Sequence, residues 1–231
     1  MRAFGSVSTS STSEVAINGT TYNEPTSGAQ RALKSSSAND AAAGTGARKV
    51  RITYYALASD GTITGPFTEL ITLNGTAAVA TVATNIALVE RMDVTSVGSG
   101  GVPAGTLTLA PAADGTGTAI GTIAAGKRST EWAHHYVSSG KRCAISDLIV
   151  VGGDAAQAAI SVRAQSFPTA NVPETSILSR LGVTNATPTA ALLVAEQVTK
   201  RVAGPARVRA YVTPANTNAQ VTSVDIGLYE L

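Results

Sequence analysis

The sequence predicts an all-β protein in which two β-sandwich-type domains follow an extended N-terminal arm. Apolar and polar residues alternate with a period of two along several segments, which is typical of strands with one buried face. Turn-forming residues recur about every dozen positions, a spacing that favours a sandwich or a barrel. Leu192–Val202 has apolar residues at helical spacing, but because Val198 and Val202 are β-branched, a strand is favoured there over a short helix.

Residues 1–30 are predicted to form the extended arm. Ser8–Ser13 carries too little apolar surface to offset the backbone entropy that a fixed conformation would lose. Val15, Ile17 and Tyr22 could instead be held by a partner through strand addition. We therefore expect the arm to be mobile in the free protein and ordered against a neighbouring subunit or shell protein.

Residues 31–110 are predicted to form the N-terminal β-domain. Its clearest strand begins at Lys49, where Val50, Ile52 and Tyr54 share one face and the residues between them share the other. Such alternation indicates a strand that is buried on one side only. Several further strands are expected before residue 110, each bounded by turn signals.

Three breaks organise this part of the chain. Asn74-Gly75 is the strongest hairpin signal, because both residue types tolerate the positive φ of a type I′ turn. Gly98–Gly101 favours a wide turn over a phosphate-binding loop, since neither a helical pattern nor a suitably spaced lysine follows it. The segment Ala110–Thr118 is predicted to link the two domains.

Residues 111–231 are predicted to form a jelly-roll-like C-terminal sandwich. About eight strand candidates occur in this part, and eight antiparallel strands are typical of a jelly roll. The candidates are Thr118–Ile123, Ser129–Val137, Lys141–Val151, Gln157–Phe167, Ser176–Asn185, Ala191–Ala195, Arg207–Thr213 and Ala219–Tyr229.

Composition argues against several classes of function. Charged residues make up 14% of the chain and the net charge is +2, so the strong positive field that drives direct nucleic-acid binding is not expected. No segment approaches the roughly 20 apolar residues that span a bilayer, which predicts no membrane insertion. The first residues show no apolar stretch of signal-peptide length, so export by a secretion pathway is not expected.

The two histidines are the first candidates for chemistry. His134 and His135 are adjacent, so in a strand their imidazoles point to opposite faces and cannot cooperate. Glu131 and His135 share a face and could hold a metal with a ligand from another chain, but surface or interface histidines are the favoured interpretation. Trp132 and Tyr136 also share a face and are the best candidate for a sugar-binding platform, with core packing favoured.

Other candidate groups are weaker. Glu69 with Glu90 or Asp93 could supply paired carboxylates for glycoside cleavage, although strand-face carboxylates are more often solvated or ion-paired. Cys143 is the single cysteine, and a small buried hydrophobe is favoured over a reactive thiol. No Gly-x-Ser-x-Gly nucleophile motif occurs. We therefore predict no catalytic, cofactor or metal site, and no enzyme.

Several stretches resemble β-rich virion structural proteins of tailed bacteriophages. Ser35–Asp40 followed by Gly44–Val50 is similar to an N-terminal module of such proteins, and so are Thr68–Val79 and Arg91–Gly101 with Gly105–Leu109. The stretch from Gly121 to Leu148 resembles a second module of these proteins more weakly. The resemblance extends from Ser35 to the end of the chain. It implies a structural protein of the particle, and it does not specify the place in the particle.

The expected function is therefore a non-enzymatic virion component, assembled in the host cytoplasm. A capsid decoration or cement protein is favoured, with a neck, tail-adaptor or fibre-base protein as the alternative and a carbohydrate-binding surface protein as the second. The expected partners are the major capsid protein or other virion proteins, and further copies of the chain. A trimer is favoured because alanines such as Ala155, Ala156, Ala158 and Ala159 give a single chain little core.

Overall fold

The computed structural model describes residues 2–9, 13–14, 22–23, 25, 27–130, 132, 134–152, 157–166, 175–184, 192–214 and 220–230. These residues form strands, turns and loops and contain no helix, so the all-β prediction is confirmed. The chain divides into two compact units. We call Met1–Gly19 with Glu131–Leu231 the terminal unit, and Thr20–Thr130 the inserted unit. No helix in the described part is long and apolar enough to cross a membrane.

In chain order the described strands are β1 (Arg2–Thr9), β2 (Ser13–Glu14), β3 (Ala32–Ser35), β4 (Ala47–Leu57), β5 (Ile63–Thr72), β6 (Val79–Ala80), β7 (Ile86–Val97), β8 (Leu107–Ala110), β9 (Gly121–Ile123), β10 (His134–Val137), β11 (Arg142–Gly152), β12 (Gln157–Ser166), β13 (Thr175–Thr184), β14 (Leu192–Ala203), β15 (Ala206–Pro214) and β16 (Gln220–Glu230).

The inserted unit contains two antiparallel sheets, with strand orders β6-β3-β8-β9 and β5-β4-β7. In β4 the predicted alternation is present, since Val50 and Ile52 are fully buried and Arg51 between them is exposed. The alternation ends near Tyr55, which is also fully buried, because the pairing of β4 with β7 shifts register there. Large apolar side chains fill the interior, among them Leu33, Ile52, Leu73, Met92, Leu107, Leu109 and Ile123.

The loops of the inserted unit differ in part from the sequence expectation. Gly98–Gly101 forms the predicted turn, with the Gly101 N–H donating to the Gly98 carbonyl. Asn74-Gly75 also turns, but it carries the chain from β5 in one sheet to β6 in the other, so the expected hairpin does not form there. The predicted linker Ala110–Thr118 lies in the loop between the paired strands β8 and β9, inside this unit.

The terminal unit has a jelly-roll strand order. Its sheets are β1-β16-β11-β14 and β10-β15-β12-β13, and β2 also pairs with β15. With β2 set aside, the eight strands in chain order occupy positions 1-8-3-6 in one sheet and 2-7-4-5 in the other. A chain that alternates in this way between two antiparallel sheets is a jelly roll. Leu192–Val202 belongs to strand β14, as the favoured interpretation predicted.

Strand β1 takes the place of much of the expected arm. It pairs with β16 along its whole length, from Arg2 opposite Gly227 to Thr9 opposite Gln220. Five of its eight residues are Ala, Gly, Ser or Thr, so residue types indicate this strand only weakly, whereas the pairing is made by backbone groups that β16 presents. Val15 and Ile17 lie outside the described residues, and Tyr22 is buried.

In the sequence, the inserted unit lies between β2 and β10 of the jelly roll. Along β15, Glu14 of β2 lies opposite Tyr211, and His134 of β10 lies opposite Arg209. The residues before and after the insertion therefore sit two positions apart on the same side of one strand, a separation of about 7 Å. Neighbouring entry and exit points allow a compact domain to be inserted without disturbing the host fold.

Candidate functional site

The aromatic residues in and just before β10 are packed against one another. The Trp132 and His134 rings stack with centroids 5.2 Å apart, and the Tyr136 ring lies 5.2 Å from His134 on the other side. All three are at most 4% exposed, so Trp132 and Tyr136 do not form a sugar platform and the core-packing interpretation holds. His135 pairs with Val208, and the two histidines face opposite ways as predicted.

Burial corrects the expected place of the histidines. His134 is 1% exposed and His135 is fully buried, so neither is a surface residue, which was one of the two favoured interpretations, surface or interface. Strand β10 is covered on both faces, which residue types alone do not reveal. Glu131, the partner in the considered metal site, lies outside the described residues. The described residues contain no group of three or more His, Cys, Asp or Glu side chains placed to hold a metal ion.

The carboxylates considered for glycoside cleavage have separate structural contacts. Glu69 accepts hydrogen bonds from the N–H groups of Val82 (2.6 Å) and Ala83 (3.1 Å), which hold the loop before β7. Asp93 is ion-paired with two arginines and lies on β7, whereas Glu69 lies on β5. Strand β4 separates β5 from β7, which places the two strands about 10 Å apart. The structure therefore does not assemble these residues into an acid–base pair.

Two further candidates are explained by local structure. Glu90 occupies a bulge of β7, because Arg91 pairs with Thr53 whereas Val89 pairs with the next residue of β4. Cys143 is fully buried, which agrees with its interpretation as a small hydrophobe. Neither residue joins a constellation that performs known chemistry.

The motif that carries the family resemblance builds a buried polar centre around Asp40. The Asp40 carboxylate is fully buried and accepts four hydrogen bonds. The Ser35 hydroxyl (2.6 Å) and the Gly105 N–H (2.8 Å) donate to Oδ2, and the N–H groups of Ala47 (2.6 Å) and Ala104 (2.9 Å) donate to Oδ1. One side chain thus joins the nearby residues Ser35 and Ala47 to Ala104 and Gly105, which lie 64 and 65 positions further along the chain than Asp40.

Electrostatics keep this carboxylate ionised. Burial by itself raises the pKa of Asp40, but the hydrogen bonds from Ser35, Ala104, Ala47 and Gly105 outweigh that effect and hold the pKa below its usual value. These donors all satisfy the charged form, so the centre is complete without a ligand. Its role is to fix the fold.

Glycines make room for the Asp40 centre. A Cβ atom on Gly46 would lie 2.1 Å from Asp40 Oδ1, which is too close for any other residue type. Gly75 has a φ of +61° and donates its N–H to the Asp40 carbonyl at 2.7 Å, which attaches the Asn74-Gly75 turn to the same centre. Packing against Asp40 therefore explains why the motif has a glycine at position 46.

Arg31 is a second buried anchor of the inserted unit. Its guanidinium donates to the carbonyls of Ile86 (Nη2, 2.8 Å), Pro111 (Nη1, 2.7 Å) and Ser27. Burial lowers the pKa of Arg31 and the neighbouring Tyr22 opposes this. The arginine therefore ties the start of β7 to the loop after β8, and this contact joins the two sheets of the unit.

The outward side of the β5-β4-β7 sheet is an exposed surface that carries charged residues. We call it the cationic face: Lys49, Arg51, Thr53, Thr68, Leu70, Thr72, Arg91 and Asp93. Across the three strands, Leu70 lies opposite Arg51 and Arg51 lies opposite Asp93. The alternate residues Val50, Ile52 and Met92 form the buried side.

Asp93 orders the two arginines of the cationic face. Arg91 Nε lies 2.6 Å from Oδ1 and Arg51 Nη2 lies 3.3 Å from Oδ2, while both arginine side chains remain about half exposed. Leu70 lies opposite Arg51, between Thr68 and Thr72 on β5, and it is 55% exposed. The sequence signal for this surface is the polar half of the β4 alternation, but which strands flank β4 is decided by the fold.

Comparisons with known proteins give little further information. No protein-family model matches the sequence, and no curated protein matches it. The VP2 subviral particle of infectious bursal disease virus is similar at 10% identity and a TM-score of 0.25, covering 97% of this chain and 67% of that one. The structure of the Gt strain of the same virus is 9% identical, with 100% and 71% covered and a TM-score of 0.25. At these scores the likeness supports no conclusion about function.

Proposed function

We propose that the chain is a non-enzymatic structural protein of a virus particle, and that it decorates the capsid of a tailed phage. The observation that carries this proposal is the jelly-roll strand order of the terminal unit, interrupted in the sequence between β2 and β10 by a second compact unit. A jelly roll is a common architecture of capsid proteins, and an inserted unit adds a second surface to it. The sequence resemblance to phage virion proteins supports the same class.

The described polar groups favour binding and assembly over catalysis. Asp40 and Arg31 are used to join segments of the fold, and Glu69 and Asp93 hold a loop and two arginines. His134 lies inside an aromatic stack. Each candidate for chemistry therefore has a structural role.

The oligomer proposed from the sequence, a trimer, fits the composition of the terminal unit. Apart from Arg207, the buried residues described on β15 are small: Ala206, Val208 and Ala210. Such side chains bury less apolar area than leucine or isoleucine, so assembly would supply stability that one copy lacks. A monodisperse monomer in light scattering at micromolar concentration would contradict this part of the proposal.

The alternatives predict different surfaces or copy numbers. A neck, tail-adaptor or fibre-base protein would use the same fold at a small number of sites. A carbohydrate-binding protein is disfavoured, because Trp132 and Tyr136 are buried and sugar-binding faces need exposed aromatic rings.

The copy number in purified particles of the virus that encodes the chain decides between these roles. Quantitative mass spectrometry against a labelled standard of the full chain should find hundreds of copies if it decorates the capsid. A dozen copies or fewer would assign it to the neck or tail. If purified particles contain none, the structural role itself is wrong.

A further inference from the structure

We propose that the cationic face is a docking surface for an acidic patch on a partner protein of the particle, an inference that rests on the function proposed above. The face lies entirely within described residues of the inserted unit, and its charged side chains point away from the buried side of the sheet.

Charge on the face is unbalanced toward the positive. Lys49, Arg51 and Arg91 carry three positive charges, and Asp93 carries the only negative charge on the face. Asp93 forms ion pairs with both arginines. Lys49 lies opposite Thr72 and forms none of the described ion pairs. The excess of two positive charges favours a partner with carboxylates.

The ion pairs with Asp93 also prepare the arginines for a second carboxylate. A guanidinium has five N–H donors, and the salt bridge to Asp93 uses one nitrogen of each arginine. Holding the side chains in place reduces the rotamer entropy that binding would otherwise cost. Arginine donors in a fixed fork suit a planar carboxylate.

Leu70 and the threonines indicate that the partner is a protein. Leu70 lies beside Arg51 and gives the face an apolar contact, and Thr53, Thr68 and Thr72 add hydroxyl groups around it. A nucleic acid or sulfated glycan would be held by a denser field of positive charge, and stacking on bases or sugars would need an exposed ring on this face. The alternation of β5 places Phe67 on the other side of the sheet.

The size of the face predicts a weak contact that works through many copies. Three strands about 5 Å apart and five residues long cover roughly 200–300 Å². This is well below the roughly 800 Å² that each partner contributes to a stable interface. A single contact should therefore be weak and salt-sensitive, and repeated copies on a symmetric particle would multiply it.

Binding of the full chain to poly-L-glutamate, used as a soluble acidic probe, tests the charge requirement. We compare the unmodified protein with the double variant Lys49→Gln/Arg91→Gln by biolayer interferometry at low salt. The variant should bind about tenfold more weakly. The control Lys141→Gln/Arg201→Gln removes two exposed positive charges of the terminal unit and should stay within twofold of the unmodified protein.

Several outcomes overturn the inference. Equal weakening by the two double variants would show that only net charge matters. The protein is also tested against heparin and duplex DNA. If it does not bind poly-L-glutamate, or binds only heparin or DNA, the proposal of an acidic protein partner is wrong. If the double variant shows no native thermal transition, the single variant Lys49→Gln is used in its place. Lys49 is exposed, and its loss breaks none of the described ion pairs. The single variant must then bind poly-L-glutamate about threefold more weakly than the unmodified protein.

Particles separate this inference from the proposed function. Copy number decides whether the chain is a particle component, whatever the cationic face does. If particles retain Lys49→Gln/Arg91→Gln as fully as the unmodified chain during washes at rising salt, the docking inference fails and the structural role stands.

Discussion

The two units of this chain reach a folded state by different means. The inserted unit buries large side chains such as Tyr55 and Met92 and adds two buried polar anchors, Asp40 and Arg31. The terminal unit also buries large rings at Trp132, His134 and Tyr136, but along β15 its buried residues are mostly small, and its two sheets are built by the pairing of long strands. Buried polar side chains therefore join distant segments in the first unit, whereas along β15 the second unit depends more on backbone pairing.

The largest expected effect is on fragments of the inserted unit. Thr20–Thr130 should fold alone, because Tyr22 and Thr130 near its ends bond to Val89 and Met92. A fragment of residues 31–110 should be unfolded, since it lacks β9 and the Pro111 carbonyl that accepts from Arg31. Heteronuclear NMR spectra of the two fragments test this. A well-dispersed spectrum of the shorter fragment would restore the domain boundary expected from the sequence.

Removal of the Asp40 carboxylate should have the next largest effect. Asp40→Ala leaves one hydroxyl and three N–H groups buried without an acceptor, and we expect the free energy of unfolding to fall by about 4 kcal/mol. Denaturant unfolding of Thr20–Thr130 measures this. The matched variant Asp60→Ala, in an exposed turn, should lose much less, and equal losses would show that the centre is not an anchor.

Arg31 should contribute somewhat less than Asp40. Arg31→Met keeps much of the buried volume but removes the donors to Ile86 and Pro111, with an expected loss of about 3 kcal/mol. The control Arg51→Met removes an exposed arginine from the same unit and should change the free energy of unfolding by about 0.5 kcal/mol or less. Similar denaturation midpoints for the two variants would contradict the role of Arg31.

Concentration should separate the two units in the full chain. If assembly stabilises the terminal unit, each tenfold rise in protein concentration should raise its thermal midpoint by about 2–4 °C. The midpoint of the inserted unit should not move. Differential scanning calorimetry across the micromolar range measures both transitions. If neither transition depends on protein concentration, the inference that assembly stabilises the terminal unit is wrong.

The smallest expected effect is a pH dependence confined to acid. Because the folded-state pKa of Asp40 is lowered, its contribution to stability is complete above the unfolded value of about 3.9 and is lost as pH falls through the folded pKa. Stability curves of Thr20–Thr130 and its Asp40→Asn variant should therefore converge below about pH 4. Parallel curves down to pH 2 would show that the carboxylate has no such linkage.

Much of the secondary structure was predictable because it depends on local patterning. Five of the six expected strands after residue 140 match β11, β12, β13, β15 and β16 to within one residue at each end. The expected strand Ala191–Ala195 is shorter than β14, which includes Leu192–Val202, as the β-branched residues there favour. Burial of Cys143 and the opposite directions of His134 and His135 also follow from residue type and strand period. The burial of both histidines did not follow, because it depends on what covers each face of β10.

Local patterning predicts the all-β class, most strand positions and the outward direction of Arg51, because alternation with a period of two records which side of a strand meets water. By contrast, long-range contacts in the folded chain make β1 a jelly-roll strand, divide the chain after Thr130, and let Asp40 join Ser35 to Gly105. These features depend on backbone pairing and hydrogen bonds between distant segments. Their side chains are small or polar, and no local pattern records the partner that each segment meets.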